Sequence, residues 1–85
     1  MTYELVYTRH AERDLKKLDP ALRARIGQAL LRFAQAPLDH AERLTASKLG
    51  SYRFRIGDYR VVFDLEGSQI VVLRVGHRRE IYRRG

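Results

Sequence analysis

LGSYRFRIGDYRVVFDLEGSQIVVLRVGHRREIY, Leu49 to Tyr82, is the stretch on which the reading of this chain turns. Tyr52, Phe54 and Ile56 alternate with Arg53 and Arg55, and after Gly57-Asp58 the alternation resumes as Tyr59, Val61, Phe63 and Leu65 against Arg60, Val62 and Asp64. A period of two is the spacing of a pleated strand, whose successive side chains point to opposite faces. Glycine at the first central position of a two-residue loop is the mark of a type II′ hairpin turn, so Gly57-Asp58 pairs Ile56 with Tyr59 and Arg55 with Arg60. In that register the aromatic and aliphatic side chains share one face. Arg53, Arg55 and Arg60 share the other.

The next segment, Gln69 to Val75, is apolar on both faces, as a strand covered on two sides is, so its pattern does not fix its register. Loop length has to decide. A three-residue loop Glu66-Gly67-Ser68 with Gly67 left-handed sets Leu65 against Gln69 and brings Arg74 beside Arg60. A two-residue Gly67-Ser68 loop sends Arg74 into the core, where an unpaired guanidinium is strongly disfavoured. The expectation is therefore the longer loop, and with it a row Arg55, Arg60, Arg74, with Arg53 one step along and Arg78 and Arg79 just past the strand end. Like charges directly opposite one another destabilise a sheet, and folding alone does not call for a stack of them. The row points to an anion site; the competing reading is a solvated arginine face softened by Asp64 and Glu80.

The chain has 85 residues, enough for one modest core, and is read as a single domain, 1–85. It has no cysteine, which removes disulfides and thiolate metal sites and suits a reducing cytoplasm. The N-terminus is charged throughout, without the apolar core of a signal peptide, and no run reaches the length of a membrane span, so no membrane partner is expected. The net charge is +7 and the isoelectric point near 10.4. Such a balance calls for a polyanionic partner. The basic residues are fourteen Arg against three Lys, and a planar guanidinium grips phosphate bidentately and stacks on bases, which favours nucleic acid over a lipid surface.

Ahead of the meander, Tyr3 to Tyr7 alternates as a short strand. Thr8 offers an N-cap to a helix with Ala11, Leu15 and Leu18 on one face. Asp19-Pro20 closes that helix and opens a second, with Leu22, Ile26, Ala29, Leu30 and Phe33 as its stripe and Pro37 at its end. Leu38 to Ser51 reads as a polar connector with a helical turn around Ala41 to Leu44. Gly76 permits a change of direction, His77 to Tyr82 returns the chain toward the arginine face, and Arg83-Arg84-Gly85 reads as a frayed basic tail. The fold class is α+β: an N-terminal strand, a two-helix hairpin and a three-stranded antiparallel meander, the helices packed on one face of the sheet.

With that order of elements, YRFRIGDYRVVF (Tyr52 to Phe63) and LRVGHRREIY (Leu73 to Tyr82) together resemble the RelE/ParE superfamily of toxin–antitoxin toxins, and the resemblance covers essentially the whole chain. In the RelE-like branch it implies a metal-independent, ribosome-dependent endoribonuclease that cuts mRNA in the decoding site and is neutralised by a cognate antitoxin, with a higher-order complex on operator DNA as a further implied partner. It implies functional roles for the positions matching Arg53, Arg55, Arg60, Arg78 and Tyr82. Arg stands at 53 and 55 where lysines often occur. Attack of a 2′-OH on the adjacent phosphate needs a proton acceptor, a donor for the leaving oxygen and cations for the extra charge; arginine serves the last of these and is a poor acceptor because its pKa stays above about 12. Arg60 and Arg78 are thus assigned to phosphate and transition-state stabilisation, Arg53, Arg55, Arg74 and Arg79 to RNA binding, and Tyr82 to proton transfer or stacking, with closure of the sheet edge as its structural alternative.

His77 titrates near neutral pH and is a candidate for proton transfer, although alternation from Val75 turns it toward the core. His10 and His40 lack a spacing for a shared metal, so no metal and no cofactor is expected. Ser47, Ser51 and Ser68 have no His/Asp partners that suggest a nucleophile. Two other classes remain open: a ParE-like inhibitor of DNA gyrase, and a non-catalytic basic binding module.

Overall fold

The computed structural model describes residues 2–45 and 48–82. In chain order these form β1 (Glu4–Tyr7), α1 (Arg9–Lys16), α2 (Pro20–Phe33), α3 (Pro37–His40), β2 (Glu42–Arg43), β3 (Tyr52–Ile56), β4 (Tyr59–Glu66) and β5 (Gln69–His77). The strands make one five-stranded sheet in the order β1-β5-β4-β3-β2, with β1 parallel to β5 and the remaining neighbours antiparallel. β5 lies between β1 and β4, with Ile70, Val72 and Val75 buried in the core and Val71 and Leu73 only partly covered.

The helices start where their capping chemistry allows. The Thr8 hydroxyl accepts from the Ala11 amide at 3.1 Å, and the Asp19 carboxylate accepts from Ala21 at 3.1 Å with Pro20 in the first turn. Ala11 on α1 and Ile26 and Leu30 on α2 are buried against Phe54, Val61, Phe63, Ile70 and Val72. Phe54 and Phe63 stack with ring centroids 4.2 Å apart, and Phe33 lies 4.8 Å from Phe54. Each such aromatic contact adds about 0.5–1.5 kcal/mol beyond the area it buries.

The first hairpin has the expected register, Ile56 opposite Tyr59 and Arg55 opposite Arg60, with Gly57 at φ +59°. The second does not. Glu66 pairs with Gln69 across a two-residue Gly67-Ser68 turn, and Leu65 faces Ile70 rather than Gln69. The two-residue loop leaves Arg74 outside the core because a β-bulge intervenes: Phe63 pairs with Val72 and Val62 with Arg74, so Leu73 is the extra residue. One inserted residue shifts the side-chain parity of everything after it. Gly76, not Arg74, then stands opposite Arg60, and the expected row of three arginines is replaced by Arg55, Arg60 and a glycine.

Three smaller expectations also change. Pro37 begins the short α3 rather than closing α2, which ends at Phe33. The connector holds a two-residue strand, Glu42–Arg43, paired with Tyr52 and Arg53, where a helical turn was expected. The chain turns after His77, one residue beyond Gly76, and at Gly76 a Cβ would stand in ordinary van der Waals contact with Ile81, 3.4 Å from its Cβ. The expected basic tail at 83–85, and Ser47, lie outside the described residues.

The bulge is pinned from α1. β1 covers the edge of β5 only as far as Val72, and past that point Asp14 accepts from the Val75 amide at 2.9 Å and from Arg74 Nε at 2.9 Å, while the Thr8 hydroxyl donates to the Leu73 carbonyl at 3.2 Å. Asp14→Ala strips the acceptor from a buried amide and a half-buried cation together. An expected loss of about 2–3 kcal/mol, read from the urea midpoint at unchanged slope, follows from leaving those donors unsatisfied.

Candidate nucleic-acid interface

β3 and β4 place Arg53, Arg55 and Arg60 on the face of the sheet turned away from the phenylalanine core, since Phe54, Val61 and Phe63 between them are fully buried on the other. Arg55 and Arg60 are direct cross-strand partners, which sets their Cα atoms about 4.5–5.5 Å apart. Arg60 is only 8% exposed, and Nη1 donates to the carbonyls of Gly57 and Tyr59, both at 2.9 Å. No carboxylate pairs with it among the described residues. Its Nε and Nη2 bond nothing there, and neither is sealed from solvent, since no buried side-chain nitrogen lacks a partner. A guanidinium held at one nitrogen by the hairpin turn, with its other donors unbonded among the described residues and not sealed from solvent, is preorganised to receive an anion.

Glu42 is the residue that sequence reasoning missed. Its Oε1 lies 3.1 Å from Arg53 Nε and 3.0 Å from Arg55 Nε, so one carboxylate oxygen bridges both cations while Oε2 bonds nothing among the described residues. The pairing follows from β2, which sets Glu42 directly opposite Arg53. Arg53 also donates through Nη1 to the Tyr82 hydroxyl at 2.8 Å, and its Cζ lies 5.7 Å from the centre of that ring. The Tyr82 hydroxyl, then Glu42, holds the guanidinium above its ordinary pKa against the opposing effect of partial burial.

The C-terminal turn brings Tyr82 to this face. Glu80 and Ile81 amides donate to the His77 carbonyl at 2.9 and 3.0 Å, the Arg78 amide donates to the Asp58 carbonyl at 2.8 Å, and Ile81 is buried over Gly76. Arg78 is thereby set at the tip of the first hairpin, half exposed, its Nε 3.7 Å from Asp58 Oδ1. That distance is too long for a hydrogen bond and leaves a half-exposed ion pair. Arg79 is exposed and its side chain pairs with nothing among the described residues.

Two expected members stand apart. Arg74 bonds Asp14 on α1, at 2.9 Å from Nε and 3.5 Å from Nη2, and is not part of the cluster. His77 faces Tyr59 edge-on at 5.4 Å and accepts from the Arg79 amide through Nδ1 at 3.1 Å, so the ring braces the C-terminal turn. Among the described residues no three His, Cys, Asp or Glu side chains gather as a metal site requires, and no helix is long and apolar enough to cross a membrane.

A five-stranded sheet with helices packed on one face is a fold shared with solved RelE structures. The structure superposes on the toxin–antitoxin complex RelBE2 of Mycobacterium tuberculosis with a TM-score of 0.83 and 31% identity, covering 92% of this chain and 100% of that one. It superposes on a mutant of Escherichia coli toxin RelE in the free state with a TM-score of 0.79 and 21% identity, covering 95% of this chain and 88% of that one. Toxin RelG of Mycobacterium tuberculosis (strain ATCC 25618 / H37Rv) is 37% identical over 87 residues, spanning 99% of this chain and 100% of that protein. Residues 5–82 match the family described as ParE toxin of type II toxin-antitoxin system, parDE. The chain belongs to this family.

Glu42→Gln tests whether the cluster is an anion site whose field one carboxylate weakens. Removing one negative charge beside two guanidiniums is worth about 1 kcal/mol toward a bound polyanion, roughly a fivefold tighter Kd for a short non-cleavable RNA at low salt. That gain shrinks as salt shortens the Debye length. Fluorescence anisotropy at two ionic strengths checks both.

Proposed function

We propose that this toxin is an endoribonuclease that cuts mRNA on the ribosome by attack of a 2′-OH on the neighbouring phosphate. The observation that carries the reading is the buried Arg60, which no carboxylate pairs with among the described residues, directly opposite an exposed Arg55, a place where a phosphate can act as counter-ion. Arg60 and Arg78 hold the phosphate and the charge that develops on it, and Arg53 and Arg55 orient the strand. Glu42 supplies what the arginines lack: its free Oε2 accepts the 2′-OH proton while its Oε1 stays fixed by Arg53 and Arg55. Tyr82 stacks a base or passes a proton to the leaving oxygen, its hydroxyl fixed by Arg53. Arg79 adds to the basic rim.

The protein acts as a single cytoplasmic domain and is neutralised by a cognate antitoxin, the two together forming a higher assembly on operator DNA. Support for the antitoxin comes from relatives solved as RelBE complexes. A second reading, inhibition of DNA gyrase without RNA chemistry, is favoured by the ParE description of the matched family.

A reconstituted translation reaction separates them. Cleaved mRNA ends on ribosomes, with Arg78→Ala slowing cleavage about 10²–10³-fold and leaving the melting temperature unchanged, are expected of the ribonuclease. Glu42→Gln is expected to bind RNA more tightly and cut it more slowly. Intact mRNA with inhibited supercoiling is the result that selects the gyrase reading.

A further inference from the structure

Beyond Arg53 the same face of the sheet carries a cavity of about 540 Å³ that the chemistry above does not use. Asp64 of β4 and Leu73 of β5 line its sheet side, and Arg43, Leu44 and the run from Lys48 to Ser51 also line it. Its construction depends on two features already described. The bulge adds Leu73 to this face. Gly50 lets the connector lie flat against the sheet, because a Cβ there would come within 2.7 Å of Val62 Cγ1 and 2.8 Å of Leu73 Cδ1.

The cavity has a polar anchor fixed in place. Asp64 Oδ1 accepts from the Ser51 amide at 2.8 Å, and Ser51 in turn accepts through its carbonyl from the Leu44 amide at 2.8 Å. Asp64 Oδ2 bonds nothing among the described residues, and no cation pairs with the carboxylate there. A carboxylate fixed by a backbone amide, in a cavity that Leu44, Leu49 and Leu73 line together with Arg43 and Lys48, asks for a flat ligand. That ligand carries N–H donors at one end and an anion at the other.

We infer that this cavity holds the base of the nucleotide next to the phosphate bound by Arg53 and Arg55, with Asp64 reading its Watson–Crick edge and selecting guanine. Asp64 lies two residues along β4 from Val62, the partner of Arg53, a separation of about 7 Å along the strand and within reach of one nucleotide. Guanine offers two adjacent donors, N1–H and the N2 amino group, which match the two oxygens of a carboxylate; each oxygen has a second lone pair, so the Ser51 bond is retained. Adenine and cytosine each set a ring acceptor beside their single amino group, and uracil sets carbonyls on both sides of its one N–H. Those acceptors face Asp64 with like partial charge. The inference rests on the ribonuclease reading for the direction of the strand but not for the binding itself.

The test has two arms. Wild-type protein in its folded state, labelled with ¹⁵N, is titrated with 5′-GMP and with 5′-UMP. The Leu44 and Ser51 amides are expected to shift saturably with GMP, at least fivefold more tightly than with UMP, and Asp64→Asn, whose amide oxygen keeps the Ser51 bond, is expected to erase the difference. Equal affinities for the two nucleotides mean that only phosphate is held and overturn the inference, as does a wild-type preference that persists in Asp64→Asn. If Asp64→Asn does not fold, Leu44→Ala, which removes one apolar wall, is expected to weaken GMP more than UMP, and an equal effect on both overturns the inference. In the second arm, mRNA ends on ribosomes are mapped. Guanine enrichment at one fixed position beside the cut, falling to the composition of the message in Asp64→Asn, supports the site; an unchanged enrichment rejects it. A wild type that binds GMP as described and cuts no mRNA removes the ribonuclease reading and leaves the pocket standing.

Discussion

The Asp14 carboxylate, bonded at once to the Val75 amide and to Arg74, is the constraint from which the functional face follows. It reaches β5 just where β1 stops covering that strand, and it satisfies a backbone donor that the bulge at Leu73 would otherwise leave exposed at a buried edge. The bulge changes the parity of the strand, so that Val75 enters the core and Gly76 comes to lie opposite Arg60. Ile81 packs over Gly76, and the turn that carries Arg78 and Tyr82 is folded onto the arginines. A helix near the start of the chain thus fixes side chains near its end through one carboxylate.

The arginine face departs from what stability alone selects. Arg55 directly opposes Arg60, and Arg60 is buried with backbone carbonyls in place of a counter-ion. Local rules are broken most often where a protein has work to do, with compensation elsewhere in the fold. The compensation here is modest: Glu42 neutralises part of the field from Arg53 and Arg55, and the stacked Phe54–Phe63 pair lies beneath in the core. Removing Glu42 and supplying a phosphate are electrostatically opposite operations, which is why binding and turnover are expected to separate.

Much of this was legible in the residues. Alternation through Tyr52 to Leu65 and the glycine at 57 determine the first hairpin completely, since a two-residue turn leaves no freedom of register. Thr8, Asp19 and Pro20 mark helix starts through local chemistry that does not wait on tertiary contacts. The second hairpin was misread because a strand apolar on both faces looks the same in either parity. Reasoning that Arg74 must avoid the core was sound, but the chain meets that demand with a bulge rather than a longer loop, and the partner that makes the bulge tolerable, Asp14, is 60 residues away in sequence. Glu42 escaped for a different reason: a two-residue strand has too few positions to display a period, so only its pairing with Arg53 reveals it.

The parallel pairing of β1 with β5 carries a consequence for synthesis. Glu4 hydrogen-bonds into register with Gln69, and Leu5 with Ile70, so the first strand to leave the ribosome has no neighbour until the last strand has been translated. Such distant pairing is slow to form and leaves the early helices without their sheet in the meantime. A nascent chain therefore lacks a finished sheet, and with it the turn that carries Arg78 and Tyr82, until β5 and the residues after it have been translated.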